Sequence, residues 1–160
     1  MTKANALSRA LELRVPPVVL VLLFAGAMWL AARALPAWQV LLPGRLALAV
    51  LLVAAGAAVT LAGVLAFRRA RTTVNPITPQ AASVVVATGI YRHTRNPMYL
   101  GMALALLGWC VALGSLAALL LLAAFVAYMT AFQIRPEERA LEAKFGAPYS
   151  AYKARVRRWL

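Results

Sequence analysis

Acidic, metal-ligating and disulfide-forming residues are scarce in this 160-residue chain, which has four Asp and Glu residues, one histidine and one cysteine. A single cysteine excludes an internal disulfide, and neither it nor the histidine has partners at metal-ligand spacing, so no metal is predicted. Cys110 lies inside an apolar run and is expected to be a packed, unreactive thiol. His93 lies in a basic segment and is interpreted as a solvated side chain rather than a catalytic base.

Charge is also missing from long stretches of the chain. Hydrophobic residues make up 64% of it, charged residues 13%, and the mean hydropathy is +0.79. A soluble domain of this size cannot bury so much apolar surface, so the sequence predicts an integral membrane protein. The formal charge of +13 is distributed between the apolar runs. Membrane lipids with anionic headgroups are therefore the expected partners, and nucleic acid is not.

Four uncharged runs are each close to the roughly 20 residues that cross a ~30 Å hydrocarbon core. They predict an all-α integral membrane fold with four transmembrane helices in a single domain, 1–160. The predicted spans cover about 16–34, 46–67, 97–113 and 115–132. The last two share one charge-free gap, between Arg95 and Arg135, with a predicted break at Gly114-Ser115. In the second span, Gly56 and Gly63 would let a neighbouring helix approach closely.

The polar segments flank these spans. Residues 1–14 predict a basic interfacial arm, and 68–96 form a long loop in which the Asn75-Pro76 to Pro79 stretch cannot be helical. The hydrophobic Val84 to Val86 stretch indicates that this loop is ordered. The tail, 135–160, predicts amphipathic helices on the membrane surface. Its predicted landmarks are a stop at Gly146, a start at Pro148 and anchors at Tyr149, Tyr152 and Trp159.

The positive charges predict the orientation in the membrane. Fifteen of the 17 Lys and Arg residues fall in the arm, the long loop and the tail, against Arg33 and Arg45 in the first loop. By the positive-inside rule, both termini, the long loop and the tail face the cytoplasm. In a bacterium this multi-pass protein would lie in the inner membrane.

The segment from Gly89 to Gly101 concentrates polar and aromatic side chains at the start of the third predicted span. It reads Gly-Ile-Tyr-Arg-His-Thr-Arg-Asn-Pro-Met-Tyr-Leu-Gly. Asn96 and Pro97 have a structural explanation, because asparagine is a good N-cap and proline is favoured at the first helical position. A helix start beside Arg92 and Arg95 also suits an anion, although arginines that bind lipid headgroups would explain the same pattern.

Two of the four acidic residues, Glu137 and Glu138, are adjacent and follow Pro136. The helix dipole alone explains acids in a first turn, whereas a carboxylate here would also suit an ammonium group or a ribose hydroxyl. Tyr91 and Tyr99 are either interfacial residues or, with Phe145, Tyr149 and Tyr152, walls for a flat heterocycle. The predicted topology puts these groups on one membrane face. A zwitterionic, sugar-bearing cofactor would therefore satisfy both the arginines and the carboxylates.

The two motifs together resemble the isoprenylcysteine carboxyl methyltransferase family and, more distantly, the phospholipid methyltransferases. The second motif reads Pro-Glu-Glu-Arg-Ala-Leu-Glu-Ala-Lys-Phe-Gly-Ala-Pro-Tyr-Ser-Ala-Tyr. The similarity covers roughly 67–158, and the Arg-Thr-Thr-Val-Asn-Pro run at 71–76 is similar to the bacterial members.

The resemblance implies a membrane enzyme that transfers a methyl group from S-adenosylmethionine to a lipophilic acceptor, with a carboxylate as the first expectation. It also implies a cytoplasmic cofactor pocket formed by the long loop, the ends of the last two spans and the C-terminal amphipathic helices. The cofactor-binding residues it implies are Tyr91, Arg92, Arg95, Asn96, Pro97, Tyr99, Gly101, Glu137 and Glu138. Arg95 and Glu138 are implied to be catalytic. The family commonly has histidine where this chain has Asn96, so a hydrogen bond is retained there but not a role that needs an imidazole.

Other functions remain open. The alternatives to a carboxylate acceptor are a lipid amine and a small thiol, and a non-catalytic lipid-binding protein would keep the same fold. A small four-helix transporter is disfavoured, because charged residues within spans usually mark a transport path. The runs 46–67 and 98–134 contain no Asp, Glu, Lys, Arg or His.

Overall fold

The computed structural model describes residues 12–40, 42–71 and 82–160, and the all-α prediction is confirmed for this part of the chain. The α-helices are α1 (Pro17–Ala34), α2 (Arg45–Arg69), α3 (Pro97–Leu113), α4 (Leu116–Tyr128), α5 (Arg135–Phe145) and α6 (Ala147–Arg155). A π-helical segment, Met129–Ile134, joins α4 to α5. Single turns of 3-10 helix lie at Pro36–Trp38 and Gly89–Arg92.

Three helices are long and apolar enough to cross a membrane. They are α1, α2 and the continuous helix Leu116–Phe145, which consists of α4, the π segment and α5. The apolar part of this last helix ends at Ile134, because Arg135 is its first charged residue. The third predicted span corresponds to α3, which is apolar but shorter. Length and composition therefore indicate a membrane protein with at least these three candidate spans.

The junction between the fourth predicted span and the tail differs from the prediction. A helix ending near residue 132 and a separate tail starting at 135 were expected, whereas the helix continues to Phe145. The π segment explains how Pro136 is accommodated. Proline has no amide hydrogen to donate, and the change from π to α hydrogen bonding at Arg135 removes the need for that donor.

Small residues bring α2 and α3 into close contact. A Cβ atom added at Gly56 would lie 2.5 Å from the carbonyl oxygen of Gly101, and one added at Gly63 would lie 3.0 Å from Met98 Cγ. Thr60 Oγ1 also donates a hydrogen bond to the Met98 carbonyl across this contact, at 3.5 Å. The prediction that Gly56 and Gly63 permit close helix approach is confirmed.

The other half of the bundle packs α1 against α4 and α3. The break at Gly114-Ser115 is confirmed, since Gly114 has φ +60° and α4 begins one residue after Ser115. The rings of Phe24 and Phe125 meet edge to face with their centroids 5.4 Å apart. Cys110 is buried with its sulfur 3.8 Å from Met28 Sδ, as expected for a packed thiol.

Residues 1–11 of the predicted arm and 72–81 of the long loop, including the Asn75-Pro76 to Pro79 stretch predicted to be non-helical, lie outside the described residues. Within the described part, Glu12 forms an ion pair with Arg139 at 2.7 Å. The Leu13 amide donates to the Phe132 carbonyl at 3.1 Å. The chain entering α1 therefore lies beside the start of α5, at the same end of the bundle as the loop before α3.

Candidate functional site

A cavity lies at this end of the bundle, where the loop before α3 meets α5 and α6. Its walls combine aromatic rings with a small number of charged side chains. The aromatic and polar lining residues are Phe67, Tyr91, Arg95, Asn96, Tyr99, Glu137, Glu138, Tyr149 and Tyr152. The two motifs recognised in the sequence, 43 residues apart at Arg95 and Glu138, are thus brought to one site.

Three of the residues implied by the family resemblance do not line the cavity. Arg92 is exposed in the 3-10 turn. Pro97 is buried where α3 meets Gly63 of α2, and Gly101 faces Gly56 further along the same contact. Arg92 therefore belongs to the surface of the loop, and Pro97 and Gly101 to the packing of α3 against α2. His93 is also exposed, as predicted.

Glu138 is held by two arginines. Arg95 Nη2 lies 2.8 Å from Glu138 Oε1, while Arg158 contacts both carboxylate oxygens, through Nε at 3.0 Å and Nη2 at 2.7 Å. The Arg95 and Glu138 side chains are only 9% and 10% exposed. Burial by itself would raise the pKa of Glu138, but the hydrogen bonds from Arg158 and Arg95 lower it below its usual value. Glu138 is therefore a fixed carboxylate with its charge compensated.

The Arg95 guanidinium is almost fully engaged with the protein. Besides Glu138, it donates from Nη1 to the carbonyls of Lys153 and Val156, both at 2.7 Å. Its Nε is buried and has no hydrogen-bond partner among the described residues. An unpaired buried donor is costly, and this N–H is the part of Arg95 that the described residues leave unsatisfied.

Glu137 has a different environment from its neighbour. Its Oε2 accepts a hydrogen bond from the Tyr99 hydroxyl at 3.1 Å, so its partner is neutral. Glu137 lies beyond the apolar part of its helix, which ends at Ile134. Burial raises the pKa of Glu137 to about 7, the negative charge of Glu138 adds to that shift, and the Tyr99 bond opposes it. The cavity thus contains a carboxyl group that can gain or lose a proton near neutral pH.

Aliphatic and aromatic side chains form the remaining walls. The rings of Phe67 and Tyr91 lie 5.2 Å apart, those of Tyr149 and Tyr152 6.2 Å apart, and the Tyr152 hydroxyl donates to the Tyr91 carbonyl at 2.9 Å. Tyr149 and Tyr152 are buried, so their prediction as membrane-surface anchors is wrong. Folding the tail back over the bundle turns these rings inward, where they shield the cavity from water. Phe145 packs behind them without lining the cavity.

Asn96 occupies the predicted N-cap position, and Pro97 is the first residue of α3. The Asn96 side chain, however, does not cap the helix. Its Nδ2 donates to the Arg158 carbonyl at 2.9 Å instead, so the predicted side-chain cap is wrong. The Asn96 side-chain amide binds the C-terminal segment, which is remote in the sequence but adjacent in the fold.

Arg158 is the main site residue that sequence reasoning missed. In the sequence it is one of several basic residues of the tail, with nothing to distinguish it. Its distance from Glu138 in the chain, 20 residues, gives no helical or strand spacing that would link the two. The only available signal was the run of basic residues close to a pair of acids. The aromatic wall residue Phe67 was missed because it ends an otherwise ordinary apolar run.

The described residues form an all-helical bundle with three apolar helices of membrane-spanning length. A cavity lined by tyrosines and carboxyl groups lies at the polar end of this bundle. These features define a helical membrane protein with a candidate small-molecule site. Residues 44–148 match the family described as phospholipid methyltransferase. The chain belongs to this family of membrane methyltransferases, which confirms the placement made from the two motifs. The match runs from the start of α2 into α6, and it contains the first motif and the second motif as far as Pro148.

A shorter relative matches part of the chain. A protein of Haemophilus influenzae (strain ATCC 51907 / DSM 11121 / KW20 / Rd), described as uncharacterized, is 48% identical over 63 residues. The shared region is 39% of this chain and the whole of that protein. No solved structure matches the chain.

Proposed function

We propose that this protein is an S-adenosylmethionine-dependent methyltransferase that acts on a lipophilic acceptor at the membrane. Membership of the phospholipid methyltransferase family supports the reaction class. The observation that carries the proposal is the cavity itself, which is lined by Glu137, by several tyrosines and by Arg95, whose buried Nε has no partner among the described residues. Such a site offers complementary contacts to a flat heterocycle and to groups of both charges.

The residues present fit this cofactor. The tyrosine walls would hold the adenine ring, one oxygen of Glu137 would accept a hydrogen bond from a ribose hydroxyl while the other stays available to the acceptor, and Arg95 Nε would donate to a carboxylate oxygen. When bound, S-adenosylmethionine supplies a methyl group on a sulfonium, which is transferred by in-line displacement. The protein's contribution is to hold both reactants at attack distance and to exclude water.

The acceptor is proposed to be a lipid amine, in preference to the carboxylate first expected from the resemblance. A carboxylate would need a free cation, but the charge of Arg95 is compensated by Glu138. An ammonium headgroup would instead be attracted by ionised Glu137. Glu137 would then accept one proton from that ammonium, with Tyr99 holding the carboxylate in place, and the neutral nitrogen would be the nucleophile.

The topology is proposed from the charges and the helices together. α3 would be a fourth span, because it packs along α2 and lies in the charge-free stretch between Arg95 and the end of α4. The four spans would form a single domain with both termini and the cavity on the cytoplasmic side. Along the contact of α2 with α3, an apolar groove that includes Leu61, Val64 and Met102 would admit the acceptor from the bilayer.

The proposal is tested with purified protein in detergent or nanodiscs. Calorimetric titration with S-adenosylhomocysteine should show binding that Glu137→Gln weakens and that Glu142→Gln does not, since Glu142 lies on the same helix outside the cavity lining. Methyl transfer should then be measured with lipophilic amines, carboxylates and thiols beside water-soluble analogues. Absence of binding by the folded protein would contradict the methyltransferase proposal, and activity on carboxylates alone would contradict the amine.

A further inference from the structure

The last residues of the chain lie against the loop that precedes α3. Three consecutive loop residues bind the backbone of this C-terminal segment. Thr94 Oγ1 donates to the Arg158 carbonyl at 3.3 Å, the Arg95 amide to the Arg157 carbonyl at 3.0 Å, and Asn96 Nδ2 to the Arg158 carbonyl at 2.9 Å. The backbone at Arg157 and Arg158 is therefore anchored beside the cavity, and the Arg158 side chain starts from a fixed position.

From this position Arg158 binds both oxygens of Glu138, at 3.0 and 2.7 Å. A two-point contact between guanidinium and carboxylate fixes the plane of the carboxylate as well as its distance. Arg95 is left with one bond to Oε1, made by Nη2. Arg95 therefore meets Glu138 with a terminal nitrogen, and its Nε is not used by the carboxylate.

We propose that Arg158 is a positioning residue: by occupying Glu138 at two points, it keeps the buried Nε–H of Arg95 unpaired beside the cavity that Arg95 lines. Without Arg158, both oxygens of Glu138 become available to Arg95. A guanidinium can bind a carboxylate side-on through Nε and a terminal nitrogen, which would satisfy the buried Nε–H internally. The cavity would then lose its unpartnered donor. The use of this donor by a ligand rests on the proposed function, whereas the positioning itself does not.

The positioning is tested without any ligand by nitrogen-15 NMR of arginine Nε–H groups, with the Arg95 signal assigned from Arg95→Lys. Arg158→Gln should shift the Arg95 Nε–H signal, and Arg158→Lys, which keeps the charge but not the two-point contact, should shift it less. Arg157→Gln is the matched control, because it removes a neighbouring charge whose side chain is exposed. An Arg95 signal that is unchanged in Arg158→Gln would overturn the proposal. If Arg158→Gln does not fold, an unchanged signal in Arg158→Lys would do the same.

The effect on the site is tested by titrating the same variants with S-adenosylhomocysteine. Arg158→Gln should weaken binding about tenfold, the loss expected for one charge-assisted hydrogen bond, and Arg157→Gln should leave binding within about twofold. Weaker binding in Arg158→Gln without a change at Arg95 Nε would overturn the positioning mechanism. If the wild-type protein does not bind the probe, the proposed function fails, and the NMR comparison still decides the role of Arg158.

Discussion

Tyr99 donates a hydrogen bond to Glu137 over 3.1 Å and thereby joins the start of α3 to the start of α5 across the cavity. A hydroxyl does not compensate a negative charge as a guanidinium does, so burial raises the pKa of Glu137 to about 7. Its neighbour Glu138 is paired with Arg95 and Arg158, and its pKa is lowered. Two adjacent carboxyl groups therefore have different roles, one titrating near neutral pH and the other permanently charged.

The titration of Glu137 predicts how ligand binding depends on pH. A ligand that requires ionised Glu137 should bind more tightly as the pH rises through about 7, and well below that pH its affinity should fall about tenfold per pH unit. Calorimetric titration of S-adenosylhomocysteine between pH 5.5 and 8.5, a range chosen around that pKa, measures this slope. In Glu137→Gln the slope should disappear. A wild-type affinity that is independent of pH would show that Glu137 does not contact the ligand as an anion.

The raised pKa of Glu137 also predicts how the stability of the folded protein changes with pH. Because the pKa of Glu137 is raised in the folded protein, the folded state binds more protons than the unfolded chain between its usual pKa of 4.5 and about 7. This group's contribution to stability is therefore present below pH 4.5 and is lost as the pH rises through about 7. Glu137→Gln should be less sensitive to pH than the wild type in thermal unfolding experiments over that range.

Removing Glu138 should affect stability as well as ligand binding. Glu138→Gln would leave the buried Arg95 without its carboxylate, which is expected to cost about 3–5 kcal/mol of unfolding free energy. Glu142→Gln is the matched control, since its pair with Lys153 is solvent-exposed and should contribute far less to stability than the buried cluster. Unfolding midpoints in detergent measure both variants. Equal midpoints would show that the buried cluster contributes no more than a surface pair.

The contact between α2 and α3 predicts a large effect from a single methyl group. Gly101→Ala would place a Cβ against Thr60 and the Gly56 carbonyl, so the helices must separate, at a cost of about 1–3 kcal/mol. Gly26→Ala in α1 is the control, because a Cβ there meets no atom within 4 Å and alanine is the better helix former. Thermal unfolding should rank Gly101→Ala below both the wild type and Gly26→Ala. The reverse order would contradict the close packing.

The π segment sets the orientation of α5 relative to α4. Deleting Ala131 would allow this segment to become α-helical and would rotate α5 by about 100° against α4, turning Glu137 and Glu138 away from Tyr99 and Arg95. We expect S-adenosylhomocysteine binding to be lost while circular dichroism retains most of the helical signal. Ala131→Ser, which keeps the length, should bind normally. Retained binding in the deletion variant would show that the π segment is not needed to assemble the site.

The local chemistry of the chain was sufficient to predict most helix boundaries. α3 begins at Pro97 because proline suits the first turn, and it ends before Gly114 because glycine readily adopts a positive φ. The same rules did not predict the continuous helix through Pro136, since proline ordinarily interrupts an α-helix and the π segment has no clear sequence signal. Rules based on residue type describe α-helical hydrogen bonding and fail where that pattern changes.

The sequence by itself determined the apolar helices and the two motifs that place the chain in its family. Each of these depends on composition or on spacing within one segment. Only the tertiary structure decided that Glu138 is enclosed by Arg95 and Arg158 while Glu137 faces Tyr99. Adjacent glutamates are chemically identical in the sequence. Helical geometry points them in different directions, and the partners they meet there come from segments that are remote in the chain.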